Sequence, residues 1–98
     1  EEKTEYRRQR RIERAQKNME FVDSAYEDVI GQIEKLQRDG EYQKLLQEEN
    51  SVLKKQLQNY LPQLQSESDF EASNVIRLLR EKKQRIVGEL QHQLESQR

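Results

Sequence analysis

The sequence predicts an all-α protein of long helices that pair in a coiled coil and assemble as an oligomer, with breaks near Gly40 and Pro62. An antiparallel three-helix bundle is the alternative. Three observations predict this class: an unbroken heptad series near the N-terminus, a polar composition rich in good helix formers, and the confinement of strong breakers to two places.

The heptad series is the strongest. Ile12, Ala15, Met19, Val22, Tyr26, Val29, Ile33 and Leu36 are spaced 3-4-3-4-3-4-3. That spacing keeps all eight on one slowly drifting stripe of a helix. A strand would need period two. Phe21, Ala25 and Ile30 flank the stripe and are expected to widen it. Glu13 with Lys17 and Glu34 with Arg38 are favourable i,i+4 pairs, each contributing about 0.2–0.5 kcal/mol.

Composition sets the second constraint. Of 98 residues, 32% are hydrophobic and 38% charged, and the mean hydropathy is −1.27. Few side chains are available to fill the core of a compact monomer. A net charge of −1 is far from the imbalance that drives disorder. Long helices that bury a narrow stripe against another chain satisfy both facts. The absence of cysteine excludes disulfides and thiolate metal sites. No apolar run reaches membrane-spanning length and no signal peptide is visible, so an intracellular, cytoplasmic protein without membrane insertion is expected.

The breaks divide the chain into three parts of one structural unit: 1–39, 40–65 and 66–98. Asp39-Gly40 is a common chain reversal or helix stop, and the heptad changes phase across it: either the chain turns back into a helical hairpin or one helix continues through a three-residue stammer. In the acidic second part, Leu46, Asn50, Leu53, Leu57, Tyr60 and Leu64 follow a 4-3-4-3-4 spacing. Asn50 falls at an a position, where a buried Asn fixes register; lying on the rim is the equal alternative. Pro62 ends that helix. Ser66 to Asp69 reads as a polar loop, and Ser68 with Glu71 has capping-box spacing for a new helix near Asp69. In the third part Ala72, Ile76, Leu79, Ile86 and Leu90 hold a/d spacing, Lys83 and Gln93 interrupt it, and Val75, Val87 and Leu94 broaden it.

Charge is distributed in blocks. Residues 1–18 carry seven Lys/Arg against four Asp/Glu, 19–72 five against twelve, and 73–98 six against three. Such blocks attract one another within or between chains. Arg77, Arg80, Lys82, Lys83 and Arg85 make the third helix basic. It is suited to the acidic second segment, although a Lys83 ammonium that simply reaches water is the expected outcome. Near the N-terminus Arg7, Arg10, Arg11 and Arg14 fall within about one third of the helix circumference, with Lys17 beside them. They point away from the seam and form a candidate polyanion contact. Glu5 and Glu13 share the helix and oppose that use, and the base-reading pattern of a basic zipper is missing.

Chemistry is otherwise sparse. His92 is the sole histidine. No second His or thiol completes a nucleophile or metal arrangement. The acidic clusters Glu48-Glu49 and Asp23/Glu27/Asp28 lack the loop of a calcium site. The scattered glycines form no phosphate loop. The expectation is a non-enzymatic protein without cofactor or metal, a coiled-coil oligomerisation and docking module of a larger structural, trafficking or assembly protein. Its expected partners are itself, as a homodimer or higher oligomer, and another helical protein. The oligomer interface comprises the first two seams together with Ile76, Leu79, Ile86 and Leu90. A dimeric nucleic-acid-binding regulator using Arg7 to Lys17 is the alternative.

Overall fold

The first seam forms one uninterrupted helix. In the computed structural model, which describes residues 2–96, α1 runs over Glu2–Arg38, 37 residues. Glu1, Gln97 and Arg98 lie outside the described residues. At 1.5 Å per residue α1 is about 55 Å long, which accounts for most of the 60 Å long axis of the molecule. Its end is written in the sequence. Gly40 adopts φ 72°, a conformation that costs glycine nothing. The Glu41 amide donates to the Leu36 carbonyl at 3.0 Å and the Gly40 amide to the Gln37 carbonyl at 3.2 Å. These paired bonds are a Schellman cap, satisfying carbonyls that the last turn would leave open.

The second part is not the single helix that its leucine spacing suggested. It divides into α2, Tyr42–Gln47, and α3, Val52–Tyr60. The reason is Asn50. Rather than occupying an a position or its rim, it sits exposed at φ 59° in the turn between the two helices. Asn tolerates the left-handed region better than other non-glycine residues. α3 ends before Pro62.

The run read as a polar loop contains a 3-10 turn, Glu67–Phe70. Its cap is Ser66 with Asp69, not Ser68 with Glu71. Asp69 Oδ2 accepts from the Ser66 amide at 2.9 Å and the Gln65 amide at 3.1 Å. The Ser66 amide, the Gln65 amide and then the Ser66 side chain hold the Asp69 carboxyl below its ordinary range. Then α4 runs over Ala72–Ser96, 25 residues.

The long oligomeric coiled coil is overturned by how these helices meet. α1 and α4 pack extensively against each other within the chain, and the architecture is a four-helix bundle. Cross-helix pairs fix the direction: Arg80 meets Glu34 at 3.2 Å, while Lys83, further along α4, meets Glu27 at 2.7 Å and Asp23 at 3.2 Å, further back along α1. The helices are antiparallel. The second and third parts thus supply in cis the cover that the seam was expected to find in another copy. The three-helix alternative also differs, because its middle helix is broken in two.

A core was available despite the low apolar content. It joins Tyr26, Ile30 and Ile33 of α1 to Val75 and Leu79 of α4, with Tyr42 and Leu57 between. Leu61, Leu64 and Phe70 complete it from outside the α-helices, and Leu61 is 0% exposed. The predicted seams include Leu64 but neither Leu61 nor Phe70, which connecting segments contribute. The Tyr42 hydroxyl donates to the Phe70 carbonyl, tying α2 to the 3-10 turn. Burial pushes the Tyr42 phenol up to about 12.

Position in this core predicts unequal damage from one kind of change. Ile33 is 1% exposed, so Ile33→Asp buries an unpaired carboxylate and is expected to unfold the domain. Val22 is only partly buried, and Val22→Asp should leave a folded, weakened bundle. Urea denaturation followed by circular dichroism checks both.

Candidate interaction surface on the α1–α4 arm

The bundle is thicker at one end than at the other. α3 stops where the Tyr60 ring meets the Tyr26 ring edge-on, with centroids 6.0 Å apart. There Lys82 of α4 also donates to the Tyr60 carbonyl. Beyond this level α1 and α4 continue as a two-helix arm. Burial follows the change: no described side chain of α1 before Tyr26 is fully buried. After Leu79, Leu94 is the one buried side chain of α4. The antiparallel register carries Leu94 to the level of Ile12 and Ala15. Residues 3–11 are all exposed.

Lys83 clamps the base of the arm. Its side chain is 19% exposed, between Asp23 and Glu27, whose carboxylates are about half exposed. Hydrogen bonds to Glu27 and then Asp23 raise the Lys83 ammonium above its ordinary value, outweighing the opposing effect of burial. The position that interrupts the third seam is therefore an ion-pair centre across two helices, not a side chain free in water. Its acidic partners lie on α1, not on the second segment.

The predicted seams are used unevenly. Tyr26, Ile33, Leu57, Leu64 and Leu79 are buried inside the chain. Val22, Val29, Leu36, Leu46, Leu53, Ile76 and Ile86 pack partly against that core. Ile12, Ala15, Met19 and Leu90 are half-buried along the arm. Asn50 is exposed in the turn, and Tyr60 is exposed apart from its edge-on contact with Tyr26.

The basic row begins on α1 past the level of Ser96, the last described residue of α4, and continues onto this arm. Arg7, Arg10, Arg11, Arg14 and Lys17 are all exposed. Arg10 stacks over the exposed Tyr6 ring, 5.6 Å from its centroid. Among the described residues no ion pair reaches Arg7, Arg11, Arg14 or Lys17. Like charges three and four apart repel one another along a helix, so the row weakens the arm unless an anionic group covers it. Phe21 extends the row. Expected to widen the seam, it is instead 74% exposed. It stands four residues past Lys17 and seven past Arg14, a spacing that places it with the arginines and could have been read from the sequence.

His92 is exposed, and its carbonyl accepts from the Ser96 hydroxyl. Among the described residues no three His, Cys, Asp or Glu side chains are grouped to hold a metal ion. No helix among them is long and apolar enough to cross a membrane. No family model matches this chain, and neither a curated protein nor a solved structure is significantly similar to it. The class is defined by geometry alone: a small all-α bundle with a projecting, basic two-helix arm.

The Lys83 clamp has a measurable pH signature. The fold favours the ammonium form, so its contribution is complete below the ordinary lysine value of 10.5 and fades as pH climbs through the raised value. Screening by water keeps the clamp to about 1 kcal/mol or less. Lys83→Met should cost no more than that at neutral pH and should flatten the alkaline decline in stability. Denaturation midpoints from pH 7 to 11 measure both effects.

Proposed function

We propose that this domain is a non-enzymatic docking module of a larger structural, trafficking or assembly protein, and that the arm is its working surface. The observation that carries the reading is the exposed row Arg7, Arg10, Arg11, Arg14 and Lys17, continued by Phe21, on the part of α1 that α3 leaves uncovered. The rest of the fold makes the arm a rigid display. α1 runs without interruption from the core into the arm, and Lys83 pins the two helices together where they leave the bundle. The chain's chemistry supports a role without catalysis, since it has no thiol and one exposed histidine.

Nucleic-acid binding is the second reading, and the same row favours it. Four arginines clear of the bundle can meet phosphates, and neutralising several phosphates gives steep salt dependence. Glu5 and Glu13 on the same helix oppose phosphate. Fluorescence anisotropy with a labelled DNA duplex separates the readings. The docking reading predicts weak binding at low salt that vanishes at physiological salt. Binding that persists there, and is lost in the R7E/R10E/R11E/R14E variant, would establish the second reading instead.

A further inference from the structure

We infer that the arm presents a third-helix slot that α3 leaves uncovered, shaped for an amphipathic partner helix whose flank is acidic. This rests on the reading of the arm as the docking surface and names the chemistry of its partner.

The slot is the continuation of the place that α3 fills. Beside α3, a shallow depression is shared by Val29, Gln32 and Ile33 of α1 with Leu53, Leu57 and Tyr60. Stepping back along α1 by heptads keeps the same face. Val29 leads to Val22 and Ala15, Ile33 leads to Tyr26 and Met19, and Gln32 leads to Ala25, Asn18 and Arg11. On α4 the step forward takes Leu79 to Ile86 and Lys82 to Glu89. The side of the hairpin that α3 covers in the bundle therefore stays uncovered along the arm. Its floor is half-buried and apolar: Ala15, Met19, Val22, Ile86 and Leu90. From Ala25 back to Glu13, level with the last described residue of α4, the slot is roughly 18 Å long, about three helical turns.

Charge selects the occupant. One rim carries Arg14, with Arg11 at its outer end; among the described residues neither is in an ion pair, and Phe21 is exposed next to them. The other rim carries the single acid Glu89. An incoming helix with carboxylates along one edge meets the arginine rim while its apolar stripe covers the floor, the ordinary helix-in-groove mode. A second copy docking arm against arm would set arginine row against arginine row and be repelled. A nucleic acid would satisfy the arginines and leave the apolar floor wet.

The test is a methyl NMR titration of the full chain with two synthetic helical peptides of about 14 residues. Both carry leucine at a/d spacing; one is flanked by glutamate and the other by lysine. The expected result is saturable movement of the Met19, Val22 and Ile86 methyl signals by the glutamate peptide. Roughly tenfold weaker binding is expected for the lysine peptide, and for the glutamate peptide with the R11E/R14E variant. Those two arginines are exposed, so the variant folds. Equal binding of the two peptides would overturn the inference, as would methyl shifts that follow protein concentration alone. If a DNA duplex moves only the arginine row and the glutamate peptide leaves the methyls unmoved, the slot falls while the arm remains a binding surface. If neither probe perturbs the arm, the docking reading falls with it.

Discussion

The antiparallel apposition of α1 and α4 is the contact on which the rest of this structure depends. It brings together residues far apart in the chain, as in Lys83 with Glu27. Once made, it leaves one side of the hairpin for the short helices. α2, α3 and the turn at Glu67–Phe70 are too short to be stable alone in water. They gain order by covering Ile30, Ile33, Val75 and Leu79. Apolar burial drives the pairing, at about 25 cal/mol for each Å² removed from water. The charged pairs act differently. Arg80 with Glu34 is solvent-exposed on both sides, and such pairs add little stability. Their effect is to favour one register, since sliding either helix would set the basic face of α4 against fewer carboxylates.

The same apposition explains the functional asymmetry. Where α3 is present the hairpin is covered and neutralised; where α3 ends, apolar and basic residues face solvent together. A two-helix arm can bury only the stripe between its helices, so the outer edges of both seams stay half-buried. The arginine row lies along one of those edges. Adhesion and charge thus coincide on a single stretch of α1, and neither requires the chain to move.

How much of this was legible in the residues follows from how local each signal is. The helix through Ile12 to Leu36, the stop at Gly40 and the end before Pro62 are set by neighbours a few positions apart. The basic row was legible for the same reason. The division at Asn50 was hidden because its spacing from Leu46 and Leu53 fits a seam while its conformation serves a turn. The cap at Ser66 and Asp69 was missed because two overlapping Ser-x-x-acid patterns compete in six residues. Most consequential was the assembly. A heptad seam states that a stripe will be covered, but not whether the cover lies in the same chain. Leu61 and Phe70, which lie in no predicted seam, join Leu64 in completing a core that composition alone argued against.

Whether the cover is truly intramolecular can be tested without any partner. Thermal unfolding followed by circular dichroism over roughly a hundredfold range of protein concentration reports it directly, because folding coupled to association shifts with concentration and single-chain folding does not. Intramolecular α1–α4 pairing predicts one superimposable transition at every concentration. A midpoint that climbs as the protein is concentrated would show that the seams close between chains, and would contradict the α1–α4 pairing on which the fold and the arm both rest.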